Sequence, residues 1–171
     1  MMLETIRALL EKLDSDKRNM PPTELYKEGW LLRVILHWFY QNQVSGHLLS
    51  FLPGADWYSE GLLSSKFLPA YQGDQLAESY THADGIIGHI AVGDKGSGDI
   101  FLVEPFEQFL VLEAKLFSKL AGRTTKVPGF DQAARNIACM AAVIESSGCS
   151  MERFKSIGFH VKPFALHSFF V

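Results

Sequence analysis

Cysteine is scarce in this chain: its 171 residues hold only Cys139 and Cys149. Two thiols are too few for a thiolate zinc cage and do not form a disulfide framework, so a reducing cytoplasm is the expected location. Charge of one sign is lacking as well. A formal net charge of −3 sets up no global basic field, so any nucleic-acid binding has to come from a local patch. No uninterrupted apolar run approaches the roughly 20 residues of a membrane-spanning helix, so no membrane partner is expected. The opening Met1-Met-Leu-Glu-Thr-Ile-Arg7 has no charged-then-apolar signal pattern. Scattered histidines, with His82 and His89 outside helical ligand spacing, argue against zinc chemistry. Repeats and low-complexity tracts are absent too. A chain of this length with 47% hydrophobic residues suits one domain with a real core.

Hydrophobic periodicity organises that domain. Leu3, Ile6, Leu9, Leu10 and Leu13 predict a short amphipathic helix within an N-terminal extension over residues 1–20. Pro21-Pro22-Thr23 starts a longer helix that runs to about Tyr40, with Thr23 as its cap. Residues 46–73, rich in Gly, Pro and aromatics, read mainly as loop. Strands are expected at Gly85–Val92, Asp99–Val103 and Phe109–Leu116, with turns at 93–98 and 104–108. An Ala-rich helix over residues 131–144 and a last strand over 157–166 complete the order. The fold class is therefore α/β (α+β): a mixed β-sheet flanked by helices.

The run Phe109-Leu-Val-Leu-Glu-Ala-Lys-Leu116 carries the most information. Strand alternation puts Phe109, Val111, Glu113 and Lys115 on one face and Leu110, Leu112, Ala114 and Leu116 on the other. An acid and a base thus share one side of a strand that looks buried. Burying both costs several kcal/mol unless they are paired, hydrated in a cleft or bound to a metal, so the pair calls for an explanation.

Other residues join it. Glu28 falls within the stripe Leu25, Leu32, Ile35, Phe39 of the long helix. Either something on that face uses its carboxylate, or Glu28 reaches water at the helix's N-terminal end, where its charge suits the dipole. Asp84 precedes a predicted strand. It approaches Glu113 if that strand neighbours 109–116, and it is otherwise a turn residue of a common kind. Two converging carboxylates suit a hard divalent cation such as Mg²⁺. Lys115, Lys119, Arg123 and Lys126 follow with no acid among them, a basic stretch able to hold phosphates or simply to face water. On the Ala-rich helix, Gln132, Arg135, Asn136 and Cys139 share one side, which faces either the cleft of Glu113 or water. The small and apolar Ala133, Ile137, Ala141 and Ile144 share another, which is expected to pack on the sheet.

Taken together, Glu28 on the first helix, Asp84 before one strand, Glu113-Ala114-Lys115 on the next and Gln132 on the second helix resemble the PD-(D/E)XK nuclease superfamily. The likeness spans roughly residues 23–144 and implies a restriction-endonuclease-like core. Ala83 stands where the pattern has proline. Asp99 is a rival acid, lying 113 − 99 = 14 residues before Glu113 against 113 − 84 = 29 for Asp84. Asp84 is preferred because the longer, more apolar strand follows it.

The resemblance implies an Mg²⁺- or Mn²⁺-dependent nuclease hydrolysing phosphodiester bonds, with DNA the expected substrate and a homodimer the form that cuts both strands. Asp84, Glu113 and the Ala114 carbonyl would be the metal ligands. Lys115 would orient or activate water, Glu28 would act through water or a second metal, and Gln132 would steady the site. Lys119, Arg123 and Lys126 would meet the nucleic-acid backbone. The alternative is a non-catalytic nucleic-acid- or protein-binding module on the same fold, which needs no metal. A third reading is hydrolysis of another phosphate. The apolar end, Phe164 to Val171, is open to three readings: buried on the sheet, packed on a partner, or the stump of a longer domain.

Overall fold

The computed structural model describes residue 4 and residues 29–65, 67, 80–93, 98–115 and 132–163. Helix α1 (Trp30–Asn42) buries Leu32, Ile35 and Phe39 of the expected stripe, together with Leu36, while Leu25 lies outside the described residues. It stops at Gln43, whose backbone is left-handed with φ 47°. The expected helix start at Thr23 lies outside the described residues. So does the expected helix over residues 3–13, apart from Glu4, which is helical.

Strand β1 (Asp56–Ser64) runs through a stretch expected to be mainly loop. Strand β2 (Tyr80–Gly88) begins before the expected Gly85 and stops ahead of His89. Asp84 therefore lies inside a strand, not in front of one. The apolar residues after His89 form β3 (Ile90–Val92), which pairs antiparallel with β4 (Ile100–Leu102) as a separate ribbon. Strand β5 (Gln108–Lys115), helix α2 (Gln132–Ser147) and β6 (Ser156–Pro163) follow near their expected positions.

The main sheet has the order β1-β2-β5-β6. The β1–β2 and β2–β5 pairs are antiparallel, and β5–β6 is parallel. A parallel neighbour needs a crossover connection, and α2 lies within it. Alternation along β5 sorts the core onto two faces. Leu110 and Leu112 pack with Leu32, Leu36 and Phe39 of α1. Phe109 and Val111 pack with Met140, Val143 and Ile144 of α2 and with Ile100 and Leu102 of β4. Each such side chain contributes about 1.5–3 kcal/mol on burial. The protein is thus an α+β fold with a mixed sheet between two helices.

Two buried polar side chains tie the loop before β1 to this sheet. Gln108 donates from Nε2 to the Ser50 carbonyl at 2.8 Å and accepts from the Leu52 N–H at 2.9 Å. His89 accepts the N–H groups of Glu107 and Gln108 at Nδ1, at 3.2 and 3.1 Å. Its Nε2 lies 3.0 Å from the Pro53 carbonyl, so the ring donates there and the tautomer follows from its partners. The β2–β5 contact is close enough to require glycine at position 88. A Cβ there would lie 2.3 Å from the Gln108 carbonyl oxygen and 3.1 Å from the Phe109 Cα, both main-chain atoms. Gly88→Ala is accordingly expected to lose about 2–3 kcal/mol. Urea unfolding would show a lower midpoint, and an unchanged midpoint would contradict this packing.

Candidate active site

The β2–β5 ladder pairs Gly88 with Phe109 and ends at Gly85 opposite Leu112. Both strands continue beyond that rung, β2 back to Tyr80 and β5 on to Lys115. The sheet therefore forks. Extending the register would put Ala83 opposite Ala114, yet the Ala114 N–H donates to Asp84 Oδ2 at 2.7 Å instead. A side-chain carboxylate replaces a main-chain carbonyl in the ladder. In a strand, a residue's N–H and C=O face the same edge, so the Ala114 carbonyl also faces the fork.

A change of strand phase lies beside Asp84. In β1, Ser59 faces α1, where its Oγ accepts from Arg33 Nε at 2.9 Å. Regular alternation would put Gly61 on the same side. Gly61 instead lies against Ile86 and Ile100 on the α2 side. Strand β2 makes the same switch, since Gly85 lies under Leu32 and Leu36 of α1 while Ala83 packs under α2. The pairs Ser59–Gly85 and Gly61–Ala83 flank the rung, so the register sets Glu60 opposite Asp84. Glu60 takes a left-handed backbone with φ 57°, costly for a residue with a Cβ. Its Oε1 lies 3.2 Å from Arg33 Nη2, and the Arg33 side chain is 0% exposed.

On the other face, Glu113 is only 4% exposed. Its Oε1 accepts from Gln132 Nε2, in the first turn of α2. One turn on, Asn136 donates from Nδ2 to the Gln132 carbonyl at 3.0 Å. Further along the same stripe, Cys139 Sγ lies 3.2 Å from Thr81 Oγ1 on β2. Helix α2 thus crosses the fork, with Gln132 over β5 and Cys139 over β2. Burial pulls the neighbouring Arg135 guanidinium below its usual range, and Cys139 acts in the opposite sense.

The structure joins Asp84 to Ala114 and Gln132 to Glu113 at neighbouring positions of β5, and Lys115 closes that strand two residues after Glu113. Asp99 is elsewhere: it bridges to Leu62 on β1, an edge strand separated from β5 by β2. Glu28, Lys119, Arg123 and Lys126 lie outside the described residues. The face expected to carry α2 onto the sheet is corrected in part, since Ile144 of that face is buried as expected. Ile137 and Ala141 are exposed, while Asn136, Cys139, Met140 and Val143 are buried. The reason is that Met140 and Val143 supply apolar area on the polar stripe, while Glu113 partners Gln132 and Thr81 partners Cys139. Arg33 and Glu60 were not singled out from the sequence. The one signal there was an arginine amid the apolar residues of α1.

Two carboxylates and a carbonyl form a hard-oxygen set of the kind Mg²⁺ or Mn²⁺ takes. Carboxylates accept at about four lone-pair positions, so one main-chain bond orients Asp84 and is compatible with a cation. Among the described residues, no three His, Cys, Asp or Glu side chains group to hold a metal. A cation here would therefore draw on main-chain oxygen and water. No described helix is long and apolar enough to cross a membrane. The chain matches no family model, no curated protein and no solved structure.

Two arginine pairs among the described residues should respond differently to mutation. Arg33→Met breaks a pair whose arginine is fully buried and should cost about 3 kcal/mol. Arg153→Met removes the exposed pair to Glu104 and should cost no more than about 1 kcal/mol. Urea midpoints of the two variants test this, and similar losses would contradict it.

Proposed function

We propose that this protein is a metal-dependent nuclease of the PD-(D/E)XK type, acting on phosphodiester bonds of DNA. The observation that carries the reading is the fork, where Asp84 holds the N–H of the residue that follows Glu113. Supporting it is the order of the main-sheet elements: a helix, three antiparallel strands of which β2 carries Asp84 and β5 carries Glu113, a second helix carrying Gln132, and a parallel strand, with the β3–β4 ribbon inserted between β2 and β5.

Asp84, Glu113 and the Ala114 carbonyl would hold Mg²⁺ or Mn²⁺. Bound there, the ion would polarise a phosphate oxygen and lower the pKa of a water. The remaining work belongs to the chain. Gln132 keeps Glu113 oriented through its amide N–H. Lys115 would place an ammonium beside the scissile phosphate, orienting the attacking water and offsetting developing charge. Glu28 would act through a water, and Lys119, Arg123 and Lys126 would hold flanking phosphates. A homodimer in the cytoplasm is the form in which both strands would be cut.

One observation favours a second reading. Both carboxylates already accept bonds from the protein, from Ala114 N and Gln132 Nε2. A non-catalytic nucleic-acid- or protein-binding module could keep them for structure alone.

Plasmid and single-stranded DNA, each with Mg²⁺, Mn²⁺ or EDTA, separate the two. Cleavage should require metal. Lys115→Ala should lower it at least about 100-fold while leaving the circular dichroism spectrum intact. Cleavage that survives EDTA, or that Lys115→Ala retains in full, would reject the mechanism. DNA binding without any cutting would favour the module.

A further inference from the structure

Asn136 has a buried acceptor that no described residue donates to. The residue is 1% exposed, and its Nδ2 is spent on the Gln132 carbonyl. Its Oδ1 is buried and has no hydrogen-bond partner among the described residues. Reversing the amide gives no relief, because it would set Oδ1 against that same carbonyl oxygen. An orphaned buried acceptor costs about 1–3 kcal/mol, whereas an apolar side chain of the same shape costs nothing of the kind. Leucine is nearly isosteric with asparagine and a better helix former. The Gln132 carbonyl would lose only a side-chain donor, since at this spacing it is also the acceptor for the main-chain N–H of residue 136 in the helix.

Position narrows what the acceptor is for. Asn136 sits between Gln132, which donates to Glu113 on β5, and Cys139, which meets Thr81 on β2. Those two strands are the ones that part beyond Gly85 and Leu112. Asn136 therefore lies on the stretch of helix that spans the two strands of the fork. A water there needs polar partners, and this site has them.

We infer that Asn136 is a positioning residue of the Asp84–Glu113 site, its Oδ1 receiving a hydrogen bond from a water that accompanies a divalent cation bound there. The inference rests on the nuclease reading. It adds a residue to that site and explains why a residue unfavourable to stability occupies the buried face of α2.

Thermal unfolding with and without Mn²⁺ tests it in the full chain. Without metal, Asn136→Leu should unfold about 2–4 °C higher than wild type. The rise in Tm that Mn²⁺ produces in wild type should shrink in the variant, corresponding to affinity weakened about 10-fold. Asn136→Ala, a smaller change in case leucine does not fit, should show the same smaller Mn²⁺ response. In cleavage assays kcat should fall more than KM changes, because the residue would act on the bound state. If both variants lower the metal-free Tm and keep the full Mn²⁺ response, Asn136 is structural and the inference fails alone. If wild type itself shows neither a Mn²⁺ response nor cleavage, the nuclease reading fails and takes this inference with it.

Discussion

The bond from the Ala114 N–H to Asp84 is the point on which the site depends. A sheet interior ordinarily satisfies every N–H with a carbonyl of the neighbouring strand. Here one rung is closed by a side chain, so β2 and β5 part without leaving that donor orphaned. The substitution does two things at once. It fixes a carboxylate at the mouth of the fork, and it keeps the peptide between Glu113 and Lys115 in a strand whose other edge is paired with β6. A loop could carry the same residues, but not with the same precision of placement.

The strands cannot fork by themselves. Both β1 and β2 switch faces at the Glu60–Asp84 rung, and in β1 Glu60 holds φ 57° there. A non-glycine backbone of this kind costs of order 1–3 kcal/mol and persists only where its surroundings over-determine it. The surroundings are the ion pair to Arg33 and the Arg33–Ser59 bond, both made from the core face of α1. A fully buried guanidinium is weak evidence for stability as such. Its contribution is geometric: it holds the rung at which Asp84 leaves the regular alternation.

What the residues disclosed, and what they hid, follows from the same physics. Strand β5 was legible because its apolar residues are continuous and its phase unbroken, so the shared face of Val111 and Glu113 could be read directly. Helix α1 was legible from its stripe. Strand β1 was not, because the switch at Glu60 and the small residues Ser59 and Gly61 erase any period of two. The break at His89 was hidden by apolar residues on both sides, and only the tertiary partners of its ring show why the strand stops. The buried face of α2 was misjudged because composition favoured the alanines. The stripe through Asn136, Cys139, Met140 and Val143 has the better volume, and Cys139 has a partner in the sheet in Thr81. Asp84 was picked over Asp99 from the length of the strand that follows it. The geometry that separates them, one inside the sheet and one beyond its edge strand, is tertiary.

The central claim is that the fork is a divalent-cation site. Calorimetric titration of Mn²⁺ into the wild-type chain and into Asp84→Asn, which keeps an oxygen to accept the Ala114 N–H, tests it most directly. The account predicts a single site in wild type and affinity reduced at least about 10-fold in the variant. Equal binding by both proteins, or no binding by wild type, would contradict it.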